Sequence, residues 1–555
     1  MTPGGVKSTG ADVVAEALAA LGVRYAFCIV SIHNMPMLDA INRLAKTRLV
    51  DVRHEQAGTH AADGYARATG ELGVMIASTG PGTTNTVTGL YEAAYASSPV
   101  LVLTGQAETA FYGRGLGYVH EAEQQVPMLR TVCRAVESPR SAAEVGPSIA
   151  RVVGAMLSGR RQPGAVEIPI DAQYGQVERG NGLARDTAFA PPPIRVRPLD
   201  DAALASAGVA IAAARRRVII AGGGVIASGA GDALRALAER LDAPVFTTVN
   251  GRGAIAESHP LVVGNFYASR AMAGALAAAD LTLAIGTRFQ AGVDGANQRY
   301  VPPGKLVHID VDPAVIGRAH RADVAVVGDA RAALEALVAN FDDERNDGQF
   351  NAALLELRDG VKASLRARLG RDYVRILDCL ARDLGDDAIV VRDSTQAAYH
   401  FGNQLLPIAR PRHSMTPTSG AIGPGLPLAV GAAIGTGKRT IVLHGDGGFL
   451  FHATELATAA QYRLPLVACV FNDGGYGVLR GLQHNRFEGR INETDLGIVD
   501  FAKLAESMGV PGVAVRSADA FEKALAGALR RDGPTLIDVD MRALEPIKGT
   551  MLPRA

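Results

Sequence analysis

A carboxylate and an amide lie one structural unit apart near the carboxyl end of the chain, in a setting suited to a metal ion. An apolar run at 441–443 leads into the segment GDGG around Asp446, and a second run at 466–471 ends at Asn472. Because Asp446 and Asn472 are 26 residues apart, about one strand-helix-strand unit, we expect both at the carboxyl ends of neighbouring parallel strands, where such sheets bind ligands. One metal ion can then contact both.

The residue types favour Mg²⁺ and a diphosphate at this position. A carboxylate oxygen, an amide oxygen and a main-chain carbonyl leave octahedral positions for phosphate oxygens and a water. The glycines allow the backbone to approach a diphosphate, whose charge is favoured at the start of the following helix. GDG alone is also typical of a buried turn before a helix, but NDGGYG one unit downstream favours the metal site. The predicted metal ligands are Asp446, Asn472 and Gly474, and the predicted cofactor-binding residues here are Gly445, Gly447, Gly448, Asn472, Gly474, Tyr476 and Gly477.

The elements that must position these residues are short apolar strands alternating with helical stretches. Continuous apolar strands separated by helices imply parallel sheets covered on both faces, and hence an α/β fold. The first helix has a plausible N-cap in Thr9 and a closing residue in Gly22. The predicted strands include 74–77, 100–104, 218–221, 281–285, 306–309, 388–391, 441–443 and 466–471.

Two polar segments divide the 555 residues into three blocks. The segments 176–199 and 340–350 are rich in proline or charge, as is typical of interdomain linkers. Each block has the size of one doubly wound domain. We predict three parallel-sheet domains, at 1–178, 196–342 and 364–555.

Composition excludes several other classes of protein. Lys plus Arg equals Asp plus Glu at 56 each, so the chain has no excess of positive charge that would favour binding to nucleic acid or to an acidic membrane. The four cysteines fit neither a disulfide framework nor a zinc site, and no apolar run reaches the roughly 18 residues of a membrane helix. The amino terminus has no signal-peptide pattern. We expect a soluble cytoplasmic enzyme with a small-molecule substrate.

With these motifs the chain resembles the thiamine-diphosphate family of acetolactate synthase, benzaldehyde lyase and oxalyl-CoA decarboxylase. The fingerprint of that family is GDG, some two dozen or more residues, and then Asn. RHEQAGTHAADGYARATG and STGPGTTNTVTGLYEAAYASSPVLVLTGQ are similar to its pyrimidine-binding domain. LVHIDVDPAVIG is similar to its central domain, and SGAIGPGLPLAVGAAIG precedes the diphosphate motif as the family requires.

The resemblance assigns roles to residues outside the metal site. It implies that Glu55 hydrogen-bonds N1′ of the aminopyrimidine and so favours the tautomer that removes the thiazolium C2 proton. Ile422 matches the bulky residue that keeps the cofactor bent, and Gly420 would offer its carbonyl to the 4′-amino group. Ser394 and Thr395 occupy a place where family members contact the diphosphate, although a simple turn explains them equally well.

The substrate side departs from acetolactate synthase. FCIVSIHN puts His33 where benzaldehyde lyase carries its catalytic histidine, and a structural histidine is the alternative. His120 and Glu121 fall where relatives line the pocket, and a surface turn is their alternative. The chain has no tryptophan, and Leu482 stands where the synthase recognises its second substrate. This departure puts the anabolic acetolactate synthase in doubt.

The implied reaction is therefore that of a C–C bond lyase or carboligase acting on 2-oxo acids or 2-hydroxy ketones. The alternatives are an FAD-dependent 2-oxo acid oxidase and a decarboxylase of 2-oxo acids or acyl-CoA. The run AGGG at 221–224 resembles a nucleotide turn, but GNFYASR and QAG replace the segments of FAD-binding relatives, so we favour a central domain without FAD. The family also implies a homodimer as the smallest active unit and a homotetramer as a common assembly.

Overall fold

Three parallel sheets form the frame of the protein. The computed structural model describes residues 8–177, 189–290, 300–342 and 345–548, and in these ranges each sheet has six strands. Helices cover both faces of each sheet, and separate apolar clusters fill the space on the two sides. The predicted α/β class with three parallel-sheet domains is confirmed.

The first sheet contains the predicted strands at 74–77 and 100–104. Its order is β3-β2-β4-β5-β7-β6, and β1 pairs with β8 beside it. The elements are β1 (Ser8–Thr9), α1 (Gly10–Ala20), β2 (Tyr25–Cys28), α2 (Met35–Leu44), β3 (Arg48–Asp51), α3 (Glu55–Thr69), β4 (Gly73–Ala77), α4 (Pro81–Ala96), β5 (Val100–Gln106), α5 (Gln125–Arg130), β6 (Ala135–Glu137), α6 (Ala142–Leu157), β7 (Gly164–Pro169), α7 (Ile170–Tyr174) and β8 (Gln176–Val177).

The start of α1 shows how local sequence fixes these elements. The Thr9 hydroxyl accepts a hydrogen bond from the Asp12 N–H, and the Asp12 carboxylate accepts one from the Thr9 N–H at 2.8 Å. This reciprocal capping satisfies two backbone donors at the helix end. Gly22 follows the helix with a φ of +71°, a conformation that favours glycine. Both predicted ends of the helix are confirmed.

The second sheet has the order β11-β10-β9-β12-β13-β14, the doubly wound order typical of nucleotide-binding domains. Its elements are α8 (Asp201–Ala213), β9 (Arg217–Ala221), α9 (Gly223–Ser228), α10 (Gly231–Leu241), β10 (Val245–Thr247), β11 (Val262–Gly264), α11 (Arg270–Leu276), β12 (Leu281–Ile285), β13 (Lys305–Asp310), β14 (Val324–Val327) and α12 (Ala330–Ala339).

The third sheet, β16-β15-β17-β18-β20-β19, has the same topology as the first. Its first two strands, like those of the first sheet, lie in reversed order at one edge. The elements are α13 (Gly348–Arg368), α14 (Gly370–Asp383), β15 (Ile389–Arg392), β16 (Ser414–Met415), α15 (Gly425–Thr436), β17 (Thr440–Gly445), α16 (Asp446–Phe449), α17 (Glu455–Gln461), β18 (Leu466–Asn472), α18 (Gly477–Arg486), α19 (Phe501–Ser507), β19 (Gly512–Val515), α20 (Ala518–Arg530) and β20 (Thr535–Asp540).

The predicted linkers are only partly irregular in structure. In the first, β8 ends at Val177, residues 178–188 lie outside the described residues, and 189–200 form no helix or strand. In the second, 343–344 lie outside the described residues and α13 begins already at Gly348. Phe350 of this helix packs into a core of the second sheet, so α13 spans the predicted domain start at 364. The domain boundaries stay predictions.

The first and third sheets of the chain are joined by the crossing of α3 and α15. A Cβ on Gly64 would lie 2.1 Å from the Leu428 carbonyl oxygen, and one on Gly431 would lie 1.8 Å from that of Ala61. Only glycine permits backbones to approach this closely. The crossing fixes the position of Glu55, the first residue of α3, relative to the loop before α15. Among the described residues no helix is both long and apolar enough to cross a bilayer.

Candidate active site

Asp446 and Asn472 lie side by side at one edge of the third sheet. Asp446 directly follows β17, Asn472 ends β18, and these strands are parallel neighbours with Gly445 opposite Phe471. Both polar side chains are buried. Because these strand ends are adjacent, a single ion could contact both side chains.

The amide of Asn472 has a fixed orientation. Its Nδ2 donates to the Val499 carbonyl at 3.0 Å and to Oδ1 of Asp538 at 3.2 Å. Both amide hydrogens are therefore used, and Oδ1, which accepts only a long 3.3 Å bond from the Gly474 N–H, remains available as a ligand. The Gly474 carbonyl accepts a hydrogen bond from the Leu496 N–H at 2.9 Å, so only its second lone pair could serve a metal.

The Asp446 carboxylate is buried. Its Oδ2 accepts a hydrogen bond from the Gly475 N–H at 2.7 Å, and among the described residues no basic side chain forms an ion pair with it. Burial raises the pKa of Asp446 above its ordinary value. A buried carboxylate without a positive partner is costly, and a divalent ion would remove that cost. The donor set thus fits Mg²⁺.

The glycines around Asp446 are explained by contacts within the protein. A Cβ on Gly445 would lie 2.9 Å from Oγ1 of Thr395, and one on Gly447 would lie 2.6 Å from the Tyr476 ring. A Cβ on Gly477 would lie 1.7 Å from Oδ2 of Asp473. Packing within the protein therefore already requires glycine at these three positions. α16 is also only one turn long, which limits the expected contribution of its dipole.

The loop 416–425 before α15 presents Gly420 and Ile422. Gly420 is exposed with a φ of +84°, and Ile422 is half-buried. The buried Asp393 carboxylate accepts hydrogen bonds from the Gly423 N–H and from the Gly425 N–H, the latter at 2.7 Å. Oγ of Ser394 donates to the Ala421 carbonyl at 3.3 Å. Asp393 was not predicted, although its position at the end of β15 resembles that of Asp446 after β17.

Glu55 is the first residue of α3 and is half-buried. Nδ2 of Asn85 donates a 3.0 Å hydrogen bond to its Oε2, and none of the described residues donates to Oε1. Gly82 leaves the space beside this oxygen, since a Cβ there would lie 3.2 Å from Oε1 and 2.8 Å from Cβ of Ser78. One carboxylate oxygen is therefore held in place and the other is available to a ligand.

His33 is buried next to the exposed His120. Their ring centroids are 5.5 Å apart, and the described residues offer neither ring nitrogen of His33 a hydrogen-bond partner. Burial and then the neighbouring His120 lower the pKa of His33, so the ring is neutral near pH 7. Nε2 of Gln173 donates to the His33 carbonyl at 2.7 Å and fixes the backbone. The placement suits proton transfer.

Glu121 contacts the backbone of a neighbouring loop. Its Oε1 accepts a hydrogen bond from the Gly113 N–H at 2.6 Å, which holds the loop 111–118. His120 has a φ of +64°, and its carbonyl accepts a hydrogen bond from the Thr79 hydroxyl. The segment 120–121 is thus a tight turn that shapes the His33 pocket.

A buried polar network behind this turn was not predicted. Nε2 of Gln125 donates to Oε2 of Glu167 at 2.7 Å, and Oε1 of Gln125 accepts from the Gly80 N–H at 2.9 Å. Gln106 and Ser138 donate to the same Glu167 carboxylate, whose pKa is raised by burial. These residues are up to 87 positions apart, so no sequence spacing could reveal the network.

A cavity of about 600 Å³ lies where the second sheet meets the other two. Arg160 and Arg288 supply positive charge, and Asp310 lies at the end of β13. Burial lowers the pKa of Arg288 and raises that of Asp310 to about 6. In the segment QAG, Gln290 lines the cavity, while residues 291–292 lie outside the described residues. The wall on the third-sheet side includes Ser394, Thr416, Thr418 and Gly420.

Comparisons with known proteins agree with this architecture. Three family models match: thiamine pyrophosphate enzyme, N-terminal TPP binding domain, at 8–128; the central domain at 204–337; and the C-terminal TPP binding domain at 396–539. Each matched range contains most of one six-stranded sheet.

Whole-chain relatives give the same result. The acetolactate synthase large subunit of Parasynechococcus marenigrum is 34% identical over 96% of this chain and 88% of its own length. A probable 2-ketoarginine decarboxylase of Pseudomonas aeruginosa is 35% identical over 96% and 94%. A probable acetolactate synthase large subunit of Methanocaldococcus jannaschii is 33% identical over 96% and 91%. The chain therefore belongs to the acetolactate-synthase-like family of thiamine-diphosphate-dependent enzymes.

Proposed function

We propose that this protein is a thiamine-diphosphate-dependent lyase or carboligase acting on 2-oxo acids or 2-hydroxy ketones. The observation that carries the proposal is the buried Asp446 carboxylate, which has no basic partner among the described residues and stands beside the oriented amide oxygen of Asn472. Bound thiamine diphosphate would act as an electron sink for breaking or forming a bond next to a carbonyl.

The chain's own residues would hold and orient that cofactor. Asp446 and Asn472 would bind Mg²⁺ and through it the diphosphate, with Gly474 as a further ligand. Glu55 would hydrogen-bond N1′ of the aminopyrimidine through its available Oε1. The Gly420 carbonyl would accept from the 4′-amino group, and Ile422 would keep the two rings bent.

His33 is the proposed acid or base toward the substrate. Its burial keeps the imidazole neutral near pH 7, which suits a group that accepts a proton from a hydroxyl. His120 would lie at the entrance. Glu121 belongs to the same pocket, but its hydrogen bond to Gly113 favours a role in holding the loop rather than in proton transfer.

The proposed substrate class rests on the names of the relatives and on one residue that differs from the one expected in acetolactate synthase. Two relatives are named for acetolactate synthesis and one for decarboxylation of 2-ketoarginine. Leu482 on α18 replaces the tryptophan expected in the synthase, which favours a substrate other than that of the anabolic enzyme. A panel of 2-oxo acids including pyruvate and 2-ketoarginine, with acyloins added, tests this by carbon dioxide release and product analysis. Turnover of no member would contradict the proposal.

The metal role can be tested apart from turnover. Asp446→Ala should abolish Mg²⁺-dependent binding of thiamine diphosphate in calorimetry. The exposed Asp532→Ala is the matched control and should bind as the wild type does. Equal, metal-dependent binding by both variants would remove Asp446 from the site.

We also propose a homodimer as the smallest active unit, with a homotetramer as the larger assembly. Large apolar side chains are exposed on both cofactor-binding domains, as is typical of an interface. They include Val30, Ile32, Met35, Phe451, Leu479, Leu482 and Phe487. A monomer at assay concentrations would contradict this. The four free cysteines, three of them buried, agree with the cytoplasmic location that we retain in the proposal.

A flavin-dependent oxidase is the second candidate, favoured by the cavity beside the second sheet. Its volume of about 600 Å³ suits a large ligand, and the arginines in its lining, Arg160 and Arg288 among them, suit a diphosphate. A purified protein that is yellow, with flavin released on denaturation, would support the oxidase. A colourless protein that neither binds added FAD nor consumes oxygen during turnover would exclude it.

A further inference from the structure

The loop 416–425 is held by a carboxylate from another domain. Glu92 on α4 is fully buried, although it is an acidic residue. Its Oε1 accepts a hydrogen bond from the Thr418 N–H at 2.6 Å, and its Oε2 accepts from the Ser419 N–H at 2.9 Å and the Ser419 hydroxyl at 2.5 Å. Three hydrogen bonds thus join residues more than 300 positions apart.

Arg67 on α3 reinforces this attachment. Its Nη2 donates to the Thr416 carbonyl at 2.9 Å, and its Nη1 lies 3.6 Å from Oε1 of Glu92 and 3.6 Å from Oδ2 of Asp63. The guanidinium thus places a positive charge beside the buried Glu92 carboxylate. The first domain therefore fixes residues 416–419 with four hydrogen bonds, three from Glu92 and one from Arg67.

The other end of the loop is fixed within its own domain. Asp393 accepts hydrogen bonds from the backbone N–H groups of Gly423 and Gly425. Gly420 and Ile422, which we propose to contact the cofactor, lie between these two anchors. Their positions therefore depend on both Glu92 and Asp393.

We propose that Glu92 is a positioning residue for the cofactor, acting through the loop 416–425. The inference rests on the proposed function, since it assigns Gly420 and Ile422 to the thiamine diphosphate. Without Glu92 the loop would lose three of its four hydrogen bonds to the first domain, and Ile422 would hold the two cofactor rings less firmly in the bent arrangement. Misplacement of reacting groups by about 1 Å can cost about 10²-fold in rate.

The helix α4 also connects Glu92 to the residue that orients Glu55. Asn85, which orients Glu55, precedes Glu92 by seven residues, about two helical turns along the same helix. One helix thus positions both the activating carboxylate and the loop of its own chain. In the proposed dimer these two elements serve different cofactors, so α4 would link the two active sites.

The test compares Glu92→Gln, Ser419→Ala and the surface control Glu335→Gln. Glu92→Gln keeps the shape of the side chain but weakens three hydrogen bonds, and Ser419→Ala removes only the hydroxyl bond. We expect kcat to fall about 10- to 100-fold in Glu92→Gln with KM nearly unchanged, and to fall less in Ser419→Ala. Near-ultraviolet circular dichroism of bound thiamine diphosphate, which reports the relative orientation of its rings, should change in the same order.

The outcomes separate this inference from the proposed function. If the wild type shows neither cofactor binding nor turnover, the proposed function itself fails. If the wild type is active and both Glu92→Gln and Ser419→Ala match Glu335→Gln in kcat and in the dichroism of the cofactor, the positioning role of Glu92 is overturned. Should Glu92→Gln fail to fold, Ser419→Ala decides the question through the same two measurements.

Discussion

The side-chain amide of Asn85 donates a 3.0 Å hydrogen bond to Oε2 of Glu55, so the first residue of α3 is linked to the second turn of α4 at the candidate site. This bond leaves Oε1 as the oxygen available to a ligand. It also fixes the rotation of the carboxylate about its terminal bond. Glu55 is therefore held as a directed hydrogen-bond group and not as a solvated helix cap.

Substitution of Glu55 should separate catalysis from cofactor binding. Glu55→Gln retains a side chain of the same length, but its amide cannot exchange a proton with N1′ of the aminopyrimidine as a carboxyl group can. We expect turnover to fall about 10²- to 10⁴-fold, whereas calorimetry should show thiamine diphosphate bound with near wild-type affinity. Asn85→Ala should have a smaller effect in the same direction. Undiminished turnover in Glu55→Gln would exclude the activating role.

Mixing two inactive variants should test whether each site uses two chains. If one subunit supplies Glu55 and its partner supplies Asp446, a dimer of one Glu55→Gln chain and one Asp446→Ala chain has one intact site. Random reassociation of equal amounts should restore about a quarter of wild-type activity. Each variant mixed with itself is the control. If both residues of a site came from one chain, the mixture would stay inactive.

The strands and the proximity of Asp446 and Asn472 could be predicted because their signals are local. Apolar runs ending in polar residues fixed the carboxyl ends of β17 and β18, and hence the proximity of Asp446 and Asn472. The capping pattern around Thr9 is equally local. Such features depend on residues within one strand or one helix turn of each other.

The attachments between domains could not be predicted. Glu92 and Ser419 are 327 positions apart, and nothing in the periodicity of either segment indicates that they meet. The same holds for Gly64 against Leu428, which appear in sequence as ordinary helix positions. Tyr476 was predicted to bind the cofactor, but that its ring packs over Gly447 could not be foreseen. These contacts depend on how complete sheets dock.

The crossing of α3 and α15 should be intolerant of a single methyl group. Gly431→Ala would place a Cβ 1.8 Å from the Ala61 carbonyl oxygen, so the helices must separate. We expect a loss of stability of about 1–3 kcal/mol or more in chemical denaturation. The control is Gly527→Ala in α20, where a Cβ would meet nothing within 4 Å. Since alanine is the better helix former, this control should be neutral or up to about 1 kcal/mol more stable. Equal stability of the two variants would contradict the tight crossing.

A buried histidine pair near the α3–α15 crossing should make the fold sensitive to acid. The rings of His60 and His452 are 5.7 Å apart, and the described residues offer no hydrogen-bond partner to either ring nitrogen of His60. Burial lowers the pKa of both residues to about 3. Between pH 6.5 and 3 the unfolded chain therefore binds protons that the folded chain does not, and stability falls as pH falls. The neighbouring Asp63 acts in the opposite sense below about pH 6, because burial raises its pKa to about 6.

Comparison of variants isolates the histidine contribution from that of Asp63. Each histidine can cost up to about 1.4 kcal/mol per pH unit in this window. His60→Gln, which cannot be protonated, should therefore give a shallower fall in the free energy of unfolding between pH 6.5 and 4.5 than the wild type. The exposed His484→Gln should keep the wild-type slope. Urea denaturation at a series of pH values measures both slopes, and a His60→Gln slope as steep as that of the wild type would show that His60 already carries its proton in the folded protein.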